Sequence, residues 1–272
     1  MPAPGGMPRL GLGTWHMGES AGQRAAEVAA LRLGLDLGLS LVDTAEMYGE
    51  GGAERVVGEA IRGRRDEVYL VTKFYPHHAS RRALAKACAG SLERLGVETI
   101  DLYLLHWRSS VPLAETVEAL ERLRAEGKIR GWGVSNFDVA DLEELAALRE
   151  GGHAAADQVL YNLARRGVEF DLLPWCAQRE VDVMAYSPLD EGALPAHPAL
   201  RAVAKRIGAT PAQVALAWLL RDPRVAVIPK SSNVAHVRAN AAAREVRLDD
   251  EALAELDRAF PPPRRKRPLE II

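Results

Sequence analysis

The chain has 272 residues, of which 48% are hydrophobic, and this content supports a sizeable core and excludes an intrinsically disordered protein. Its formal net charge of −2 at pH 7 gives no bias towards nucleic acid or an acidic membrane surface. Because it has no apolar run of about 18 residues and residues 1–6 lack the pattern of a signal peptide, we expect a cytoplasmic protein.

Strand-like and helical segments alternate along the whole chain. The predicted strands are Leu10–Trp15, Leu39–Asp43, Val68–Lys73, Asp101–His106, Arg130–Ser135, Asp157–Tyr161, Val181–Tyr186 and Val225–Pro229. The predicted helices are Ala25–Leu37, Ala53–Arg62, Arg81–Leu95, Leu113–Glu126, Val139–Leu148, Leu172–Gln178, Pro198–Ile207, Pro211–Leu220, Val234–Ala243 and Glu251–Phe260. Gly96 is expected to end the third helix, and Thr210 with Gln213 forms a capping-box pattern before the eighth.

Eight strand–helix units follow one another without a linker or a shift in composition, which predicts one α/β domain over residues 1–272. The strands are uniformly apolar, as a parallel sheet covered on both faces requires. Eight such units in about 250 residues fit a (β/α)8 barrel, or TIM barrel. A doubly wound open sheet is the alternative topology.

In a barrel, reactive side chains lie at the carboxyl ends of the strands, where the βα loops converge. The polar or aromatic residues at these ends are Thr14 with Trp15, Asp43, Lys73, His106, Ser135 with Asn136, Gln158, Tyr186 with Ser187, and Lys230, and Tyr48 follows in the second loop. Taken singly, an Asp after a strand is commonly a helix cap, and a Lys at a strand end extends to solvent. Their occurrence together on one rim predicts an active site.

Four of these residues fit the acid catalysis of carbonyl reduction. The ordinary pKa of tyrosine is about 10, so a free phenol is a reluctant proton donor near neutral pH. A nearby ammonium such as Lys73 is expected to lower the pKa of Tyr48, and Asp43 would keep that lysine charged and oriented. His106 would hydrogen-bond to the substrate carbonyl oxygen and polarise it. These roles predict a reductase with Tyr48 as proton donor.

A series of longer motifs surrounds these residues. In chain order they are Gly11-Leu12-Gly13-Thr14-Trp15, Asp43-Thr44-Ala45 with Tyr48-Gly49, Lys73, Asp101-Leu102-Tyr103-Leu104-Leu105-His106-Trp107, Gly131-Trp132-Gly133-Val134-Ser135-Asn136, Gln158, Ala185-Tyr186-Ser187-Pro188-Leu189 and Ile228-Pro229-Lys230-Ser231. Because these motifs occur in this order, the chain resembles the aldo-keto reductases over essentially its whole length. The resemblance implies an NADP-dependent reductase of aldehyde or ketone carbonyls with a tetrad of Asp43, Tyr48, Lys73 and His106. It is nearest to bacterial aldehyde and methylglyoxal reductases, which implies small aldehyde substrates such as methylglyoxal.

The hydride must come from a cofactor, since no side chain supplies one. Gly11-Leu12-Gly13 does not form a GxGxxG dinucleotide fingerprint, because position 16 is His16 and no helix opens there. By resemblance, the nicotinamide stacks on Tyr186, and Ser135, Asn136 and Gln158 hold its carboxamide. The other cofactor contacts that the resemblance implies are Gly13, Thr14, Trp15, Asp43, Ser187, Leu189, Lys230, Ser231, Ser232, His236 and Asn240.

The segment from Lys230 to Ser232 precedes the last barrel helix, whose N-terminal dipole together with a lysine favours a phosphate. In the aldo-keto reductases this segment takes the adenosine 2′-phosphate, so the resemblance implies NADPH rather than NADH. His236 stands where many members have an arginine, and Arg238 follows two residues later. Because a histidine is only partly charged near neutral pH, discrimination is expected to be smaller or to rely on Lys230 and Arg238.

The expected substrate-binding residues are Trp15, Met47, Tyr48, His106 and Trp107, with Phe74, Arg108, His77 and His78 as further candidates. Aromatic walls select weakly among small aldehydes, since each methylene changes the binding free energy by only about 1–3 kcal/mol. The basic tail within residues 261–272 is read as a lid near the barrel mouth, because the resemblance places the C-terminal segment there. Its prolines and the acidic chain argue against a nucleic-acid patch.

The expected partner is a small carbonyl substrate, without nucleic acid, membrane or bound metal, and the expected state is a monomer or a weak homo-oligomer. Cys88 and Cys176 lie far apart and lack the spacing of metal ligands. One alternative function is a non-catalytic aldo-keto-like subunit that binds nucleotide and regulates a partner. Another is a barrel aldolase in which Lys73 forms a Schiff base. The intact tetrad favours the reductase.

Overall fold

The computed structural model describes residues 6–272. Two predictions, the lack of a signal-peptide pattern and a domain that begins at residue 1, fall partly on residues 1–5, which lie outside the described residues. Its strands are β1 Gly11–Gly13, β2 Leu41–Asp43, β3 Tyr69–Phe74, β4 Ile100–Leu105, β5 Ile129–Ser135, β6 Ala156–Leu160, β7 Asp182–Tyr186 and β8 Val225–Val227. Its α-helices are α1 Arg24–Asp36, α2 Gly52–Ala60, α3 Arg81–Leu95, α4 Leu113–Ala125, α5 Val139–Ala146, α6 Leu172–Gln178, α7 Pro198–Ile207, α8 Pro211–Leu220, α9 Val234–Ala242 and α10 Asp250–Ala259.

The sheet closes into a barrel. Its eight strands pair in sequence order, each parallel to the next. Parallel bridges between Leu10 and Val227 and between Gly13 and Lys230 join β1 to β8 at the remaining edge. The (β/α)8 prediction is therefore confirmed, and the doubly wound open sheet is excluded.

Two apolar layers make up the core, because successive side chains of a strand point to opposite faces of the sheet. The layer inside the barrel contains Met7, Leu41, Val71, Leu102, Leu104, Ala156, Met184, Ala226 and Ile228. The larger layer fills the space between the sheet and the helices. Strands that are apolar on both faces are what this arrangement requires.

The helix-end signals are confirmed, and several strands end earlier or begin later than predicted. Gly96 adopts a left-handed φ of 65° and ends α3, and Thr210 and Gln213 form a reciprocal capping box at the start of α8. The predicted strand Leu10–Trp15 is cut short because the chain turns at His16, where φ is 63°. The strand predicted over Val225–Pro229 ends early because proline has no N–H for a strand ladder.

Within residues 6–272, no helix combines the length and the apolar character that are needed to cross a membrane. The same part of the chain contains no group of three or more His, Cys, Asp or Glu side chains placed to hold a metal ion. Cys88 and Cys176 are buried free thiols, and burial raises the pKa of each to about 12.

Candidate active site

Four side chains from three neighbouring strands and one loop converge at the carboxyl end of the barrel. Asp43 is the last residue of β2, Lys73 lies one position before the end of β3, and His106 follows β4 directly. Tyr48 opens a short 3-10 turn after β2. Parallel strands all end at the same rim, so residues far apart in the sequence become neighbours here.

Lys73 is the centre of this cluster, and its side chain is fully buried. Its Nζ donates to Asp43 Oδ2 over 2.8 Å and to the Thr44 carbonyl over 2.9 Å. The third contact of Nζ is the Tyr48 hydroxyl, at 3.3 Å. An ammonium has three N–H donors, so every donor of the buried lysine has a partner.

Asp43 uses both carboxylate oxygens. Oδ2 accepts from Lys73, and Oδ1 accepts from Gln158 Nε2 over 2.8 Å. Thr14 also donates its hydroxyl to the Asp43 main-chain carbonyl, at 2.9 Å. Gln158 was expected at the cofactor carboxamide, and its contact with Asp43 is a further role that the sequence did not reveal. The buried carboxylate therefore has no unpaired oxygen.

Burial and ion pairing have opposite effects on the pKa values in this cluster. Burial by itself lowers the pKa of Lys73, but Asp43 and Tyr48 outweigh it and raise that pKa, so the ammonium form persists. Burial raises the pKa of Asp43 despite the pull of Lys73. Burial also raises the pKa of Tyr48, although Lys73 lowers it in part. Lys73 therefore has the expected lowering effect on the Tyr48 pKa, but the net shift is upward because burial outweighs it, and the phenol keeps its proton near neutral pH.

His106 is a neutral imidazole. Burial lowers its pKa to about 2, and the charge of Lys73 acts in the same direction. Its ring meets the Tyr48 ring edge-on, with 5.8 Å between the ring centroids. The His106 carbonyl accepts from Asn136 Nδ2 over 3.1 Å, and this bond connects His106 to the loop after β5. A neutral imidazole offers one N–H donor and one acceptor nitrogen.

The residues expected to hold the nicotinamide lie together beside His106. Ser135 donates its hydroxyl to the Gln158 carbonyl over 2.8 Å, and Asn136 adopts a left-handed φ of 59°. Tyr186 donates its hydroxyl to Asn136 Oδ1 over 3.0 Å. Burial raises the pKa of Tyr186 to about 12, and the nearby backbone of Ile272 partly offsets this shift.

The residues expected to hold the phosphates lie around the start of α9. Lys230 and His236 are exposed, Ser231 and Ser232 are half-buried, and Asn240 is buried on the same helix. The bridge from Lys230 to Gly13 places the lysine beside β1. An exposed lysine before the N-terminus of a helix fits a phosphate chemically, and His236 lies in the first turn of that helix.

Two exposed tryptophans follow β1 and β4 closely in the sequence. Trp15 and Trp107 remain 38% and 37% exposed, which leaves large apolar surfaces in contact with solvent. The Trp107 ring lies 4.9 Å from the His106 ring between centroids, and Met47 is half-buried beside Tyr48 in sequence. Phe74, in contrast, is fully buried and packs on Tyr103. The inclusion of Phe74 among the substrate candidates is therefore wrong, since it belongs to the core.

Glu46 is a residue of this site that the sequence reasoning missed. It is 8% exposed, and its Oε1 accepts from the Tyr75 N–H over 2.6 Å and contacts His78 Nδ1 at 2.8 Å. These contacts fasten the loop between Asp43 and Tyr48 to the loop after β3. A carboxylate within an otherwise buried loop was the available signal.

Two other substrate candidates also contact protein groups. His78 contacts Glu46, as described above. Arg108 donates through one guanidinium nitrogen to both carboxylate oxygens of Glu144, at 2.9 and 3.0 Å. Both side chains are therefore tied to neighbouring acids.

The tail of residues 261–272 lies along the loop that follows β6. Lys266 Nζ pairs with Asp171 Oδ2 at 3.1 Å, and Arg165 donates to Glu270 Oε1 over 3.0 Å. The backbone of Ile272 lowers the pKa of Tyr186 in part, which places the end of the tail near the rim of the barrel.

The chain is similar to reductases of known family over nearly its full length. A family model described as the aldo/keto reductase family matches residues 9–260. Methylglyoxal reductase YeaE of Escherichia coli K12 is 50% identical over 271 residues, which cover 98% of this chain and 95% of that protein. A crystal structure of an aldo/keto reductase from Klebsiella pneumoniae in complex with NADP and acetate is 54% identical, with a TM-score of 0.96, over 98% of this chain and 96% of that one. A Klebsiella pneumoniae structure in complex with NADPH has the same identity and TM-score, over 98% of this chain and 95% of that one.

Proposed function

Because this chain belongs to the aldo/keto reductase family, we propose that it reduces aldehyde or ketone carbonyls with NADPH as hydride source and Tyr48 as proton donor. The observation that carries the proposal is the contact of 3.3 Å between Lys73 Nζ and the Tyr48 hydroxyl, with Asp43 holding the lysine. The similarity to a methylglyoxal reductase favours small aldehydes such as methylglyoxal as substrates.

NADPH, when bound, supplies a hydride to the carbonyl carbon. Tyr48 supplies the proton that the carbonyl oxygen takes up, because burial keeps its phenol protonated near neutral pH. The phenolate that forms lies beside the Lys73 ammonium, which stabilises the new negative charge. Asp43 keeps that ammonium in place through the bond of 2.8 Å. The balanced change is one hydride to carbon and one proton to oxygen.

His106 orients the carbonyl in this proposal and does not donate a proton to it. With a pKa of about 2, its imidazole is neutral at the pH of the reaction. A neutral N–H hydrogen-bonds to a carbonyl oxygen without carrying a charge that would compete with Lys73.

The cofactor contacts are proposed at the same positions as in the sequence interpretation. Tyr186 would stack on the nicotinamide, with Ser135, Asn136 and Gln158 at its carboxamide, and these residues form one hydrogen-bonded cluster next to His106. Gly13, Thr14, Trp15, Asp43, Ser187, Leu189, Lys230, Ser231, Ser232, His236 and Asn240 complete the set. The exposed Lys230 before α9 supports NADPH, and similar proteins were crystallised with NADP and NADPH.

The aldolase alternative is disfavoured by the charge state of Lys73. A Schiff-base lysine attacks as a neutral amine. Here Asp43 and Tyr48 raise the pKa of Lys73, which keeps it protonated. The regulatory-subunit alternative is disfavoured because all four tetrad side chains are present and in contact.

The deciding experiment compares wild type with Tyr48→Phe in the oxidation of NADPH by methylglyoxal, followed by absorbance. We expect kcat to fall by about 10²–10⁴-fold, because the proton donor is removed. The Kd for NADPH, measured by fluorescence titration, should be unchanged. If wild type binds NADPH but turns over no member of a broad carbonyl panel, the regulatory subunit is favoured. Borohydride trapping of substrate on Lys73 would favour the aldolase.

Residues 261–272 are proposed as a lid on the substrate side of the barrel mouth. The ion pairs to Asp171 and Arg165 and the contact with Tyr186 support this position. The cytoplasmic location and the monomeric or weakly oligomeric state stay predictions from the sequence.

A further inference from the structure

The loop after β7, residues 187–192, has an unusual concentration of left-handed backbone. Ser187, Asp190 and Glu191 have φ values of 45°, 50° and 54°. A residue other than glycine in this region is held at a cost of order 1–3 kcal/mol and persists only where its surroundings determine it. Contacts with the surrounding structure must therefore hold these three residues in place.

Asn162 supplies buried hydrogen bonds to this loop. It lies two residues after β6, and its side chain is fully buried. Its Nδ2 donates to the Ser187 carbonyl over 2.9 Å and to Asp190 Oδ1 over 3.4 Å. Its Oδ1 accepts from the N–H groups of Ala164 and Arg165, at 2.9 and 3.0 Å. One amide therefore joins the turn of residues 162–165 to the loop after β7.

Arg165 adds a weaker contact between the same two segments. Its Nε lies 3.5 Å from Asp190 Oδ1, and its other end donates to Glu270 in the tail. The Arg165 side chain is 41% exposed. Exposed ion pairs of this kind contribute little to stability. Of these two side-chain links to the loop, the buried amide of Asn162 is therefore the stronger.

We propose that Asn162 is a positioning residue that holds residues 187–192 in the conformation that receives the cofactor. The inference rests on the proposed function, in which Ser187 and Leu189 contact NADPH. A loop that is already ordered does not lose further freedom on binding, so removing the fastening weakens the affinity for NADPH. The hydrogen bonds of the Asn162 amide go to the two loops and, within the described residues, not to Tyr48, Lys73 or His106, so the chemical step is spared.

The test uses Asn162→Asp in the full-length protein. The aspartate keeps an oxygen for the N–H groups of Ala164 and Arg165, but it loses both donors and brings a second carboxyl group to Asp190. We expect the NADPH Kd from fluorescence titration, and the KM for NADPH, to rise about tenfold. The kcat at saturating NADPH and the KM for methylglyoxal should stay within about twofold of wild type.

Tyr161→Phe is the matched control. This neighbouring side chain is buried and donates to Glu169 Oε1 over 2.8 Å, and within residues 6–272 its side chain has no hydrogen bond to residues 187–192. We expect it to lower Tm and leave the NADPH Kd unchanged. A rise in Kd equal to that of Asn162→Asp would show a general loss of stability and overturn the inference.

A second pair of variants avoids the buried position. Asp190→Asn keeps the acceptor for Asn162 and removes the charge that Arg165 meets, so we expect a Kd within about twofold of wild type. Asp190→Ala removes the acceptor, and we expect the Kd to rise at least about threefold. If Asn162→Asp and Asp190→Ala both bind NADPH with wild-type affinity, the inference is overturned and the proposed function is unaffected. Failure of wild type to bind NADPH overturns the proposed function, and the inference with it.

Discussion

Gln158 donates its Nε2–H to Oδ1 of Asp43 over 2.8 Å, and the two residues lie 115 positions apart in the sequence. They stand on β6 and β2, which lie on opposite sides of the eight-stranded barrel. The bond leaves Oδ2 of the same carboxylate to Lys73. The orientation of the lysine that contacts Tyr48 is therefore set from across the barrel interior.

Gln158→Met should destabilise the fold. Methionine has a similar volume but no N–H, so Asp43 Oδ1 loses its partner in a buried position. We expect the free energy of unfolding to fall by about 1–3 kcal/mol in chemical denaturation. Gln178→Met, at an exposed position of α6, is the control and should change it by less than about 0.5 kcal/mol. Equal stability of the two variants contradicts the prediction.

Asp43→Asn should slow turnover without preventing folding. It leaves the Lys73 ammonium buried without its counter-charge, at a cost of about 3–5 kcal/mol. Lys73→Met leaves the buried carboxylate without its counter-charge in the same way, whereas the double variant leaves neither charge unpaired. We expect the double variant to be less destabilised than the sum of the single variants in denaturation experiments. Additive losses would show that the pair is not coupled.

His106 should make stability depend on acid. Its pKa is about 2 in the folded protein and about 6.5 in the unfolded chain, so between these values the unfolded chain binds the additional proton. The stabilisation by neutral His106 is complete above about pH 6.5 and is lost as pH falls, by about 1.4 kcal/mol per pH unit. Between pH 7 and 5, wild type should lose about 2 kcal/mol more than His106→Asn in urea denaturation. Equal losses argue against a neutral buried histidine.

Lys230→Ala should discriminate between the two nicotinamide cofactors. If the exposed ammonium binds the 2′-phosphate, its removal should raise the NADPH Kd about tenfold and change the NADH Kd by less than about twofold. The difference should shrink as ionic strength rises. Lys205→Ala, at an exposed position of α7, is the control and should change neither Kd. Tighter binding of NADH than NADPH by wild type would contradict the assignment of this segment.

Truncation after Phe260 tests the lid. It removes Lys266 and Glu270, which pair with Asp171 and Arg165, together with the contact of Ile272 at Tyr186. We expect the ratio of kcat/KM between methylglyoxal and a larger aromatic aldehyde to change. Full-length Glu270→Gln is the control and should retain the wild-type ratio, because an exposed ion pair adds little. An unchanged ratio after truncation counts against the lid.

The sequence determined the fold class, the helix-end signals at Gly96 and Thr210, and the location of Asp43, Tyr48, Lys73 and His106 on one rim. Strand and helix patterns are local properties of the chain, and the polar residue after each strand lies on a common rim once the strands are parallel. Gly96 and Thr210 acted as the sequence predicted, because capping depends on neighbouring residues alone.

Only the tertiary structure decided the charge states and the long-range contacts. Lys73 does lower the pKa of Tyr48, but burial outweighs it, and burial is a property of the packed barrel. Gln158 meets Asp43, and Asn162 meets Ser187, through strands and loops that fold together from distant parts of the chain. Periodicity and motif spacing do not contain these distances, which is why the partners of buried polar groups had to be read from the folded protein.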